Sequence, residues 1–377
     1  MKKILLAIQF TICIFFANAQ TVNNNFPKAT ILQEILKKYT DDGLPGVSVA
    51  VLSEKDGWWT GAAGYAKTET KKAMTTDNLQ YLQSISKSYL AVAILDLYEK
   101  KKIELDAPVT KYLPAKYNNY IKGLDKITVE MLLNHTSGVP EYSDHPLFVS
   151  YIMLHPTEIF NIEKALEYLS GEPLQFEPGT KHHYVNTNYL LLAIIADGIT
   201  GDHAAYIDKI IFKKLGLTNT YYRSSKGYLT YPKLVDSYWD VLSTGKPANI
   251  TSLQKANVAT LKGDDGIVAT TTDAVKFLKG LVEGKLLKES TLALMKEWVN
   301  GDDGKPAYGL GLVHYEAGGL EGYGHSGGGV GAGCILLYVP EKKTYVFMAT
   351  NIATLFGGPF AKKADDMKNE VLGALLF

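Results

Sequence analysis

Two long apolar runs occupy the middle of the chain, and neither alternates with polar residues. Residues 89–98, YLAVAILDLY, and residues 187–200, TNYLLLAIIADGIT, are helix-length and apolar nearly all round, which predicts helices buried on every side. Towards both ends the pattern shortens and turn residues punctuate it. Residues 46–66, GVSVAVLSEKDGWWTGAAGYA, predict two strands around a Lys55-Asp56-Gly57 turn, and residues 334–350 predict a hairpin turning at Glu341-Lys342-Lys343. YGLGLVHYE, residues 308–316, predicts a further strand with Tyr308, Leu310 and Leu312 in step. Thr30 and Gln33 read as the cap of a first helix with Ile31, Ile35, Leu36 and Tyr39 facing inward. A last helix is predicted over 361–376. Strands at both ends with helices between them predict a mixed α/β (α+β) fold, in which one antiparallel sheet built from the two termini is flanked by helices and carries an inserted all-helical subdomain. The expected boundaries are about 29–80 and 265–377 for the sheet part and about 81–264 for the helical part, one domain spanning 29–377.

The opening, MKKILLAIQFTICIFFANAQ, departs from this pattern. Lys2 and Lys3, an apolar stretch to Phe16 and Ala17-Asn18-Ala19 form a signal peptide over 1–19, followed by a tether over 20–28. Ile12 before Cys13 is too large for lipid attachment, so plain cleavage and export to the periplasm or the exterior are expected. Cleavage leaves Cys334 as the only cysteine, so an internal disulfide is excluded and the core must hold the fold together. Lys plus Arg and Asp plus Glu both number 39, with no basic stripe, which argues against a nucleic-acid partner. Arg223 is the only arginine, so a bidentate clamp on an anionic ligand is almost ruled out. No segment after the signal peptide reads as a membrane span.

Ser84 and Lys87 stand three residues apart at the mouth of the first apolar run, where a helix puts both on one face. A desolvated lysine one turn from a serine can take its proton, and a helix amino terminus offers free N–H groups to developing negative charge. The bland reading has Ser84 capping the helix and Lys87 reaching back to water. Two other pairs share the spacing, Ser243/Lys246 in a loop and Ser252/Lys255 without a long apolar run behind it. Tyr184 and Asn186 precede the second apolar run, where a phenol and an amide could face Ser84. Tyr117 and Asn119 repeat the spacing, and a core tyrosine is the competing reading. His325, Ser326, Gly327, Gly328 and Gly329 form the third element. Glycines within a strand mark close approach of another backbone, and a substrate could add to such a strand while its N–H groups form an oxyanion hole. His182 and His183 lack a third ligand at metal spacing, so no metal and no cofactor is expected.

Ser84-x-x-Lys87, Tyr184-x-Asn186 and His325-x-Gly327, in that order, resemble the motifs of the penicillin-recognising serine hydrolases. The likeness is to the branch of class C β-lactamases, D-alanyl-D-alanine carboxypeptidases, D-aminopeptidases and related esterases, and it covers nearly the whole mature chain. LPGVSVAV, KIELDAPVTKYLP, LLNHTSGVPEY, FEPGTKHHYVNTNYLLL and DGIVATTTDAVKF each resemble family segments. The resemblance implies a β-lactamase/DD-peptidase-like fold and an acyl-enzyme on Ser84, with Lys87 and Tyr184 as proton-transfer partners. It implies Asn186, His325, Ser326, Gly327 and Gly328 as substrate-binding residues, with the N–H groups of Ser84 and Gly328 as the oxyanion hole. The implied partner is a small peptide, amide or ester, cell-wall peptides included. D-peptide hydrolysis leads, an esterase or β-lactamase is the alternative, and a silent cell-wall peptide-binding domain comes third. The chain departs from the family at His325, where class C β-lactamases carry lysine, at Gln80 and Ala332, where aromatics are usual, and in lacking an evident glutamate for deacylation, since Glu177 reads as a turn residue. The scarcity of arginine counts against a strict carboxypeptidase.

Overall fold

The computed structural model describes residues 25–377, so the predicted signal peptide and most of the tether lie outside the described residues. Strands β1 (Gly46–Ser53), β2 (Gly57–Lys67) and β3 (Lys72–Ala73) come from the amino-terminal part. Strands β4 (Val299–Asn300), β5 (Pro306–Tyr308), β6 (Val313–Ala317), β7 (Leu320–Gly328), β8 (Gly333–Val339) and β9 (Thr344–Thr350) come from the carboxy-terminal part. Among the described residues they form one antiparallel sheet in the order β3-β2-β1-β9-β8-β7-β6-β5-β4, so the two ends of the chain meet at the β1–β9 pair. The predicted turns at residues 55–57 and 341–343 join β1 to β2 and β8 to β9.

Both faces of this sheet are covered, which explains why β1 reads as an unbroken buried run. Val47, Val49, Val51, Val346 and Met348 pack against α1 (Ala29–Asp41) and the final helix, Pro359–Leu376. Ala50, Leu52, Tyr345, Phe347 and Ala349 join the larger core on the other face. In α1 the phase differs from the predicted one. Ile31 is exposed and Leu32 is buried, Thr30 lies inside the helix, and Gln33 donates to the Ala62 carbonyl across to β2 (2.9 Å) instead of capping. That long-range bond fixes the helix against the sheet, and it overrides a capping pattern read from local spacing alone.

The two apolar runs form α2 (Ser86–Glu99) and α3 (Asn186–Thr200), buried from Ser86 to Leu95 and from Thr187 to Ala196. Each fully buried Leu or Ile among them contributes about 1.5–3 kcal/mol of transfer free energy. The strand predicted through residues 308–316 is broken in two. Gly311, at φ +79°, turns the chain between β5 and β6 and lies against α2, where its carbonyl accepts the Ser88 hydroxyl at 2.7 Å. No single helix among the described residues is long and apolar enough to cross a membrane.

Gly311 ties the β5–β6 connection to α2, and a Cβ built there would lie 2.3 Å from the Ala91 Cβ. Gly311→Ala is expected to destabilise the fold by about 2–4 kcal/mol, read as a lower urea midpoint at unchanged m value. Gly373→Ala in the last helix, where a Cβ meets no atom within 4 Å, is expected to leave the midpoint unchanged or raise it. Equal effects of the two substitutions would contradict the close contact.

Candidate active site

The chain enters α2 through a single 3-10 turn, Gln83–Ile85, in which Gln83 adopts a left-handed backbone at φ +48°. A non-glycine residue held there costs on the order of 1 kcal/mol, and the turn persists because its surroundings fix it. Its side chain is buried against β7. A Cβ on Gly327 would stand 2.7 Å from the Gln83 Cβ and from the Leu82 carbonyl, and one on Gly329 would stand 2.2 Å from Gln83 Oε1. The glycine run therefore does admit a second backbone, the segment carrying Ser84. Strand β6 pairs with β7 only as far as Gly324, and β8 pairs with it through Gly328. Among the described residues, the segment His325–Gly328 thus has one edge without a strand partner, beside the Ser84 turn.

Ser84 is half-buried and Lys87 is fully buried. Lys87 Nζ donates to Ser84 Oγ at 3.0 Å, to Asn186 Oδ1 at 2.8 Å and to the Asp264 carbonyl at 2.9 Å. The Tyr184 ring centroid lies 5.0 Å from Nζ, and its phenol is also among the groups that hold the ammonium. Three N–H donors match three acceptors. Desolvation was expected to strip Lys87 of its proton. Burial does push its pKa down, but Tyr184, Asp264 and Asp265 outweigh burial and hold the ammonium above the ordinary lysine value. The geometry serves both states nonetheless. Two N–H groups stay on carbonyl oxygens that only accept, and the third direction lies on a hydroxyl that can donate or accept.

Tyr184 is positioned by the loop that carries His135. The two rings are 4.3 Å apart, and His135 Nδ1 accepts from the Val185 N–H (3.3 Å). His135 itself sits at φ +61° with both its backbone and its ring buried, and burial followed by the Lys87 charge holds its pKa well below the ordinary histidine range. Asn186 opens α3 (Asn186–Thr200) with its amide between Lys87 and Ser143 Oγ (3.2 Å). Glu141 accepts the Asn186 backbone N–H on one oxygen and the Ser143 N–H on the other (2.8 Å). Burial pushes the Glu141 carboxyl up to about 7. Burial, then the neighbouring Asp264, pushes Asp265 up to about 7 as well.

His325 was expected to line the cleft, but its ring turns inward and is buried, while Ser326 and Gly328 alternate outward. Its Nδ1 faces the Ser326 carbonyl at 2.6 Å and its Nε2 faces the Tyr308 hydroxyl at 2.9 Å, which assigns the proton to Nδ1. Burial and the Lys87 charge push its pKa down to about 3, so the ring is neutral where class C β-lactamases place a lysine. Arg223 gives its guanidinium to the Ala259 and Leu261 carbonyls (2.7 and 2.5 Å) and serves a helix end. The competing motif copies stay apart: Ser243 lies in a turn, Ser252/Lys255 lies on the helix Thr251–Thr260, and Tyr117 is a core tyrosine bonded to Glu163 (2.6 Å). Among the described residues Asp197, Asp202 and His203 are grouped closely enough to share a cation, but the Lys262 ammonium, 2.8 Å from Asp197, already supplies the charge there.

His135, Glu141, Ser143 and Asp264 complete the site and were not singled out from the sequence. Glu141 and Asn186 are 45 residues apart, and a glutamate in a loop carries no periodicity to flag it.

The chain belongs to the Beta-lactamase family, whose model matches residues 32–366. A D-stereospecific amidohydrolase from Streptomyces sp. superposes with a TM-score of 0.78 at 25% identity, covering 90% of this chain and 98% of that one. Penicillin-binding protein 4* of Bacillus subtilis (strain 168) is 27% identical over 304 residues, 76% of this chain and 64% of that protein. An Escherichia coli (strain K12) protein, provisionally named a D-alanyl-D-alanine carboxypeptidase, is 27% identical over 208 residues, 52% of this chain and 47% of that protein. The chain thus spans about half to two thirds of the length of these curated relatives.

Asp265 keeps its proton in the folded state from the ordinary aspartate value of 3.8 up to about 7, while the unfolded chain has lost it. Stability from this group is therefore lost as pH rises through that interval and is level above it. Asp265→Asn, which keeps the acceptor for the Gly266 N–H (2.5 Å), is expected to stabilise little at pH 4 and by about 2–4 kcal/mol at pH 7.5, measured by urea unfolding. A gain independent of pH would count against a buried, protonated Asp265.

Proposed function

We propose that the protein is an exported serine hydrolase that forms an acyl-enzyme on Ser84 and cleaves amide bonds of small substrates containing D-amino acids. The observation that carries this reading is the buried Lys87 ammonium, which spends one of its three hydrogen bonds on Ser84 Oγ at 3.0 Å. Ser84 Oγ attacks the substrate carbonyl. The step runs from the neutral-amine state, in which the Lys87 direction towards Ser84 accepts instead of donating: Lys87 takes the Ser84 proton as Oγ attacks, Tyr184 gives its proton to the departing amine and is reprotonated from Lys87, and water then releases the acid from Ser84 by the reverse path. The N–H groups of Ser84 and Gly328 receive the oxyanion, the free edge of His325–Gly328 receives the substrate backbone, and Asn186 orients both the substrate amide and Lys87.

Two features favour an amidase or D-aminopeptidase over a carboxypeptidase. His325 is neutral with both nitrogens engaged, and Arg223 is committed to backbone carbonyls, so neither supplies a cation for a terminal carboxylate. The likeness to a D-stereospecific amidohydrolase over most of both chains points the same way. Export rests on residues 1–19, and a mature protein recovered from the cell with an amino terminus at Gln20 would establish it.

Intact-mass time courses with benzylpenicillin, alongside turnover of D-amino acid amides and of a D-alanyl-D-alanine peptide, test the reading. Ser84→Ala is expected to abolish both adduct and turnover while its melting curve stays cooperative. The D-amino acid amide is expected to be the better substrate by kcat/KM. Preference for the D-alanyl-D-alanine peptide would make the protein a carboxypeptidase, and full turnover by Ser84→Ala would sink the mechanism. Lys87→Met keeps the length of the side chain and removes the ammonium. It is expected to slow acylation by roughly 10²–10⁴-fold and to lower stability by about 3–5 kcal/mol, since it leaves the Asn186 amide oxygen and the Asp264 carbonyl unpaired and takes the cation away from the neighbouring carboxyls. Acylation at the normal rate would remove Lys87 from the mechanism.

A further inference from the structure

The tripeptide Glu141-Tyr142-Ser143 touches every non-serine partner of Lys87 that the hydrogen bonds define. Glu141 holds the backbone N–H of Asn186, and Ser143 Oγ accepts from Asn186 Nδ2 at 3.2 Å. Tyr142 donates its hydroxyl to Asp264 Oδ2 at 2.8 Å, and its N–H goes to Thr187 Oγ1 at 3.0 Å. Asn186 Oδ1 and the Asp264 carbonyl are in turn the two acceptors that fix Lys87. The segment therefore sets the direction of the ammonium without touching it.

Glu141 is the member of this segment whose contacts depend on ionisation. A carboxylate accepts at both oxygens, and both are used, by the Asn186 and Ser143 N–H groups. A carboxylic acid turns one oxygen into a donor, which then confronts an N–H and gives up one of the two bonds. Loosening Asn186 N–H loosens the first residue of α3, the residue whose amide aims Lys87 at Ser84. Resting on the serine hydrolase reading, we propose that Glu141 is a positioning residue for acylation: its carboxylate clamps Asn186, and protonation of that carboxylate releases the clamp and slows attack by Ser84.

The charged groups facing Glu141 are Lys87 from α2 and Asp264 from the loop before the helix Thr271–Val282. Asp264 opposes ionisation of Glu141 and Lys87 favours it, while burial is the largest influence and pushes the carboxyl up to about 7. The carboxylate clamp is thus complete above about pH 7 and lost as pH falls through that value. Activity is expected to follow the same direction.

The test is the second-order rate of Ser84 modification by a fluorophosphonate between pH 5 and 9, read by intact mass, with melting curves for every variant. The natural protein is expected to lose rate on the acid side with an apparent pKa near 7. Glu141→Gln, which cannot ionise, is expected to react about tenfold more slowly at pH 8 and to show no limb near 7. Glu141→Asp is expected to restore a limb at a shifted pH, because the shorter carboxyl sits differently in the clamp, and Ser143→Ala to lower the rate while keeping the limb in place. A limb at the same pH in Glu141→Gln, whether the rate is normal or uniformly lowered, overturns the proposal, because a merely structural glutamate would behave that way. Should Glu141→Gln not fold, an unshifted limb in Glu141→Asp overturns it equally. Absence of any Ser84 adduct in the natural protein would overturn the hydrolase reading itself, and the proposal with it.

Discussion

The ammonium of Lys87 is the constraint around which the rest of the molecule is arranged. Burying an unpaired charge costs several kcal/mol, and the cost is offset only when the hydrogen-bonding directions are filled with good geometry. Here they are filled by Ser84, Asn186 and Asp264, acceptors separated by 99 and 177 residues from the lysine in two of the three cases. Those separations mean that the site exists only when α2, α3 and the loop before the helix Thr271–Val282 are assembled. Local structure alone cannot make it. The same arrangement keeps the proton exchangeable, because only the Ser84 direction ends on an atom that can both donate and accept.

A second constraint follows from the first. For Ser84 to stand at the mouth of α2 beside β7, the chain must turn sharply from the short strand Gln80–Tyr81 into the helix, and Gln83 takes the left-handed conformation that this requires. The strain is held in place by packing, since Gln83 is wedged where side chains at 327 and 329 would otherwise be. Glycine at these two positions is thus a consequence of the geometry of the turn that carries Ser84. The open edge of His325–Gly328 arises because β6 stops pairing at Gly324, and it is where the proposed substrate strand would add.

The sequence made the sheet built from both termini legible, along with the two buried helices and both hairpin turns, because these depend on runs of apolar residues and on local turn chemistry. It was misleading where a long-range contact decided the outcome. Gln33 bonds to Ala62 instead of capping, and Gly311 splits a run that alternation alone reads as one strand. Ser84, Lys87, Tyr184 and Asn186 could be singled out because two of the pairs sit at helix entrances, where spacing has geometric meaning. Glu141 and Asp264 could not, since a carboxylate in a loop has no period and its partners lie far away in the chain. The charge state of Lys87 was misjudged for the same reason: desolvation can be inferred from an apolar run, but Asp264, Asp265 and Tyr184 become neighbours only in the fold.

Electrostatics then narrows what the cleft can recognise. A pocket that reads a substrate's terminal carboxylate needs a cation with a free direction. Lys87 has none, since its three N–H groups are taken. His325 is neutral between Tyr308 and the Ser326 carbonyl, and protonating it would place a second positive charge near Lys87 in a buried setting. Meanwhile Glu141, Asp264 and Asp265 surround the lysine with carboxyls whose ionisation burial opposes. A second anion brought in by a substrate would oppose their ionisation further. A neutral amide carries no such cost, and it can use the strand edge, the oxyanion N–H groups and Asn186 through hydrogen bonds alone. That none of Lys87, His325 and Arg223 offers a free cation is the electrostatic ground for the proposed preference for an amide over an acid.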